Sequence, residues 1–157
     1  MRVQISRQII TFWIAAVALT GAFAAEVKPA ASIPSAALIQ PADLAAVLKE
    51  GKAPRPLILQ VGFKVLFAEA HIAGSEYAGP GGQDEGLQGL RARVAKLAKD
   101  TPIVIYCGCC PWTRCPNVAA AYDALHALGF SNVKVLYIAD NFGADWVERG
   151  YPTEKGR

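Results

Sequence analysis

Three short, almost unbroken apolar runs recur along the chain: PLILQVGF (56–63), TPIVIYC (101–107) and NVKVLYI (132–138). Each has the length of a buried strand rather than a buried helix. Between them lie segments with helical spacing. Leu87, Leu90, Val94 and Leu97 share one face in the first, and Val118, Ala121, Leu125 and Leu128 share another before Gly129 stops the second. An earlier helix is predicted in PADLAAVLKEG, after the short apolar run ALIQ (37–40). There Pro41 suits the first turn, Gly51 suits the exit, and Leu44, Val47 and Leu48 line one side. Strands that alternate with amphipathic helices and carry no polar face require an α/β fold. The expectation is a single three-layer domain, with a central, mostly parallel sheet and helices on both faces. In such sheets a ligand site lies beyond the carboxyl ends of the strands. No internal repeat or second domain is visible.

The N-terminus reads differently. Arg2 and Arg7 precede an apolar run from about Ile9, and Ala22 and Ala24 flank Phe23, the three-part layout of a secretory signal peptide. The run is interrupted at Thr20 and Gly21 and falls short of the roughly 20 residues a spanning helix needs. Residues 1–24 are therefore expected to be a signal peptide, 25–36 (AEVKPAASIPSA) a linker, and 37–157 the folded domain, in a periplasmic or secreted protein. Loss of Arg2 and Arg7 takes the formal net charge from +3 to +1. Nothing in that balance points to nucleic acid or, after cleavage, to a membrane surface.

All four cysteines, Cys107, Cys109, Cys110 and Cys115, fall in one stretch, IVIYCGCCPWTRCPN (103–117). Inert core cysteines would be scattered, and a domain of this size folds without disulfides. In an oxidising compartment such a cluster must be redox-active, bridged or metal-bound.

The ordered set of segments resembles a rhodanese domain. QPADLAAVLKEG matches the opening helix, HIAGSEYAGP (71–80) the family's GHIPGA turn, IVIYC the strand ending in cysteine, AYDALHALGFSNVKVL (121–136) the helix closing in Gly-Phe, and FGADWVERGYP (142–152) the final segment. The resemblance implies that a loop cysteine carries sulfane sulfur as a persulfide, between a small sulfur-containing anion and a thiol acceptor. It implies Cys107 or Cys109 as the catalytic thiol, Gly108, Thr113 and Arg114 as substrate-binding, and Cys110 and Cys115 as resolving or redox thiols. No cofactor or metal is expected on this reading. Two departures stand out. The family's strand ends Asp-Val-Arg where this one has Gln60-Val61-Gly62, and the family's four residues between cysteine and arginine become six from Cys107 to Arg114. Counting from Cys109 restores four.

Loop shape matters more than thiolate fraction. Lowering a thiol from about 8.5 to about 6.5 raises its thiolate roughly 25-fold at pH 7, and the accompanying fall in nucleophilicity takes back about six- to tenfold. Three other readings stay open: a Cys107-x-x-Cys110 dithiol for thiol-disulfide exchange, a thiolate site for copper or zinc, and a non-catalytic binding module. Trp112 is either a lid or a contact for a protein partner. His71 is expected to be a fold-stabilising hydrogen-bonder, Trp146, Tyr151 and Pro152 closing core and turn residues, and Asp145 and Glu148 a solvated helix face.

Overall fold

Pro41 and Gly51 bound the first helix as their chemistry dictates. In the computed structural model, which describes residues 30–51 and 54–156, α1 runs Pro41–Glu50 and ends at Gly51 with φ 61°, a conformation open to glycine at no steric cost. Before it comes β1 (Leu38–Ile39), and after it β2 (Leu57–Gln60). The chain continues through α2 (Lys64–Glu69), β3 (His71–Ile72), β4 (Glu76–Tyr77), α3 (Asp84–Val94) and β5 (Ile103–Tyr106). It closes with α4 (Asn117–Ala127), β6 (Val133–Leu136), a π-helical turn at Gly143–Val147 and β7 (Thr153–Glu154). The expected signal peptide lies outside the described residues.

Five strands pair in parallel in the order β1-β6-β5-β2-β4, while β3 and β7 form a separate antiparallel pair. The α/β expectation holds, and β5 shows why. Successive side chains of a strand point to opposite faces. Ile103 and Ile105 join a core with Leu90 and Val94 of α3 and Val118, Ala121 and Leu125 of α4. Val104 and Tyr106 join a second core with Leu44 of α1, Ile72, Ile138 and Trp146. One apolar run thus fills both faces of the sheet.

The elements are shorter than the apolar runs. β2 stops at Gln60, although Val61 N–H still donates to Tyr106 O at 2.8 Å. β5 stops at Tyr106, so Cys107 lies one residue past the strand rather than at its end. The left-handed Gly108, φ 76°, turns the chain out of the ladder there. α2, β3, β4 and β7 carry no periodicity long enough to read. The described part of the expected linker is a correction. Residues 30–37 contain 3-10 turns at Ala30–Ser32 and Ser35–Ala37, with Ala30 and Ile33 buried in the core beside Ala37. Alanine-rich composition hid a packed segment, because small side chains can enter a core at turn spacing without an amphipathic signature.

His71 behaves as expected. Its Nδ1 lies 2.8 Å from Phe67 O and its ring stacks on Phe67 at 3.9 Å, while Trp146 is fully buried and its Nε1–H donates to Pro152 O at 3.0 Å. Asp145 does more than face solvent, since its Oδ2 accepts from Asp140 N–H at 2.8 Å. No described helix is long and apolar enough to cross a membrane.

Candidate active site

The loop joining β5 to α4 is fixed at three points. Gly108 O accepts the Phe142 N–H at 3.1 Å, and a Cβ on Gly108 would lie 2.6 Å from Phe142 Cβ, so both the turn and the close approach require glycine. Farther on, Trp112–Arg114 forms a 3-10 turn whose Trp112 N–H donates to Ala139 O at 3.0 Å, with the indole 5.1 Å from the Tyr137 ring. Then Cys115 and Pro116 lead into α4, whose first residue is Asn117.

These anchors gather the sulfurs. Cys107 Sγ donates to Cys109 Sγ at 3.0 Å, Cys109 and Cys110 Sγ are 3.2 Å apart, and the sulfurs of Cys107, Cys109 and Cys115 all lie within 4.8 Å of one another. All four thiols are free, and Cys107 and Cys115 are only 3% exposed while Cys109 and Cys110 are half-buried. Asn117 sits beneath them, 2% exposed, and its Nδ2 donates to Cys107 Sγ at 3.2 Å and to Cys109 Sγ at 3.6 Å. Its Oδ1 accepts the Gly82 N–H at 2.9 Å, which fixes the orientation of the amide. Gly81 makes that approach possible: a Cβ there would lie 2.3 Å from Asn117 O.

A compact set of thiols cannot ionise independently. Hydrogen bonds from Cys107 and then Cys109, helped by the N–H groups of Val118 and Asn117 at the start of α4, pull the Cys115 thiol down against the effect of burial. Cys109 lowers Cys107, but Cys115 and burial outweigh it and push the Cys107 thiol up to about 12. Cys109 is driven up by Cys107, Cys115 and burial, and Cys110 is raised by burial, Cys109 and Cys115. The contacts within the cluster thus favour ionisation at Cys115 over the other three thiols.

A cavity of about 260 Å³ opens beside the loop. Cys107, Gly108 and Cys109 form one wall, with Gln60 and Tyr106 from the strand ends, Glu69 from α2, and Asn141 and Phe142 opposite. Thr113 and Arg114, expected to bind substrate, are exposed and do not line it. The physical cause is the pinned Trp112 turn, which spends the two extra loop residues and carries both side chains to the outside. Trp112 itself is half-buried and packs against the core rather than covering the cavity. Of the expected residues, the structure brings together Cys107, Gly108, Cys109, Cys110 and Cys115.

Sequence reasoning missed Asn117, Gln60 as a buried cavity residue, and Phe142. It noted Gly62 only as a departure. A Cβ at Gly62 would stand 2.8 Å from Gln60 Nε2 and 3.0 Å from Cys107 Sγ. The space beside Gly62 is thus taken by the sulfur and the amide.

No protein-family model and no curated protein matches this chain. Solved structures do. A structure of the Alr3790 protein from Anabaena sp. aligns with a TM-score of 0.58 at 24% identity, covering 75% of this chain and 92% of that one, and another structure of Alr3790 is described as its rhodanese-like domain. The BH2092 protein from Bacillus halodurans aligns with a TM-score of 0.57 at 23% identity, covering 75% of this chain and 76% of that one. A Rhodopseudomonas palustris protein described as a possible tyrosine phosphatase aligns with a TM-score of 0.52 at 20% identity, covering 74% and 83%. This chain has the rhodanese-like fold, with a cluster of cysteines where β5 meets α4.

Proposed function

We propose that this chain is an exported rhodanese-type sulfurtransferase, periplasmic or secreted, that carries sulfane sulfur as a persulfide on Cys109. The observation that carries the reading is the position of Cys109. It is the half-buried thiol on the cavity wall, 3.0 Å from the buried Cys107 at the carboxyl end of β5. A catalytic thiol must meet a substrate, and of the two thiols on the cavity wall Cys107 is only 3% exposed whereas Cys109 is half-buried.

In the first step Cys109 gives up its proton to solvent in the cavity and, as thiolate, attacks the sulfane sulfur of the donor. A sulfur–sulfur bond forms on Cys109, the donor's own sulfur–sulfur bond breaks, and the leaving group departs with that electron pair. In the second step an acceptor thiolate attacks the terminal sulfur, and Cys109 leaves as thiolate. No net oxidant or reductant is consumed. Charge that develops at Cys109 meets donors already in place, the Cys107 S–H and the Asn117 amide. Preorganised donors of this kind are worth about 10²- to 10³-fold in rate. The α4 N-terminus adds N–H groups to the same region.

The test is transfer from thiosulfate or a small persulfide to a thiol acceptor. Cys109→Ser is expected to abolish turnover. Cys107→Ser retains a donor hydroxyl and is expected to lose far less than that 10²-fold. Full turnover in Cys109→Ser, with none in Cys107→Ser, assigns the persulfide to Cys107 and overturns the proposal.

A further inference from the structure

We propose that Cys107, Cys109 and Cys115 also form a three-sulfur site for one thiophilic monovalent ion, copper(I). This rests on the sulfur geometry and stands independently of sulfur transfer. An ion bound at about 2.3 Å to three sulfurs in a plane spaces them about 4 Å apart. The observed set, with a closest approach of 3.0 Å and all pairs within 4.8 Å, brackets that spacing. The three ligands also come from separately anchored places. Cys107 follows β5, Cys115 precedes α4, and Cys109 lies on the loop between.

The donor chemistry selects the ion. Among the described residues no histidine or carboxylate joins the three thiols in this cluster. The space between the loop and the core is lined by Cys107, Cys110, Trp112, Cys115 and the apolar Val118, Leu136 and Ile138, with no carboxylate or imidazole among them. Cys110 Sγ lies 3.2 Å from Cys109 Sγ but does not join the three sulfurs that lie within 4.8 Å of one another. Structural zinc takes four ligands in a tetrahedron, and hard cations take oxygen. Three soft sulfurs with no histidine or carboxylate among them suit copper(I). Asn117 completes the site as an outer partner, its N–H groups aimed at two of the three sulfurs and its carbonyl held by Gly82. Such partners fix ligand orientation. Binding involves no electron transfer: copper enters as copper(I), and each thiol that ligates as thiolate releases one proton to solvent. Copper and sulfane sulfur then compete for Cys109.

The experiment titrates the reduced chain anaerobically with copper(I) against a chromogenic copper(I) chelator, with zinc(II) alone as a second arm. The expected result is one copper per chain. Cys107→Ser, Cys109→Ser and Cys115→Ser should each weaken binding by more than about 100-fold, beyond the roughly 10- to 100-fold expected for loss of an outer partner in Asn117→Ala. Circular dichroism verifies that each variant is folded. X-ray absorption on the wild-type complex should show three sulfurs at one distance, which keeps the proposal testable even where a variant fails to fold. Substoichiometric binding, undiminished affinity in Cys115→Ser, two-sulfur coordination, or zinc bound by four sulfurs including Cys110 each overturns it.

Discussion

Asn117 links the sulfur cluster to the rest of the molecule. One buried amide serves two sulfurs and the backbone of Gly82, a residue 35 positions away in the chain. Asn117→Ala removes all of these bonds and leaves the Gly82 N–H without its acceptor. The expected cost is about 1 to 3 kcal/mol, read as a lower urea midpoint with unchanged slope, together with slower sulfur transfer. Gly62 makes the converse point. Gly62→Ala directs a methyl group at the far end of Gln60 and at the Cys107 sulfur. Stability should change little, because Gln60 can give way. Displaced sulfur should lower the transfer rate about tenfold or more, given how steeply rates fall with misplacement of reacting groups. An unaltered rate means that the space beside Gly62 has no bearing on the chemistry. The cysteines were legible in the sequence because four of one reactive type crowd a single loop. Asn117 was not, because an asparagine at a helix start reads as an ordinary cap, and the Gly82 contact that orients its amide comes from a distant segment.

At the scale of elements, the β5–α4 loop owes its shape to contacts outside itself. Gly108→Ala places a side chain at φ 76° and against Phe142. A strained, overpacked position of this kind costs about 1 to 3 kcal/mol. Thermal unfolding should show the loss, and the cavity thiols should become easier to alkylate as the loop lifts from Phe142. The 30–37 segment gives an independent test of packing. Ile33 is 7% exposed and buried against the core, so Ile33→Ala should cost about 2 kcal/mol or more by urea unfolding, where a linker would show no effect. The long strands and α1, α3 and α4 were readable because their periodicity spans several turns or a whole buried run. The two-residue strands and six-residue α2 were not, since their positions follow from pairing and from turn glycines. The exposure of Arg114 was equally hidden. Spacing along the chain counts residues, but the Trp112 turn decides where they point.

For the whole molecule, two cores on opposite faces of one sheet hold the carboxyl ends of β2 and β5 side by side, with Gln60 paired in register to Tyr106. The thiol cluster and its cavity sit just past those ends, where an open parallel sheet offers a site. Alternating strands and helices made that much legible, and the similarity to solved rhodanese-like structures rests on the same architecture. What the pattern could not reveal is which of the two thiols on the cavity wall is the more exposed, because that depends on a left-handed glycine and a buried asparagine rather than on strand order. The direct measurement is intact mass of the reduced full chain after exposure to a sulfane donor, followed by peptide mapping. The account predicts one adduct of about 32 Da, a single added sulfur, carried on Cys109 and removed by a thiol acceptor. Absence of any such adduct with thiosulfate and with a small persulfide, on protein shown to have four free thiols, would contradict it.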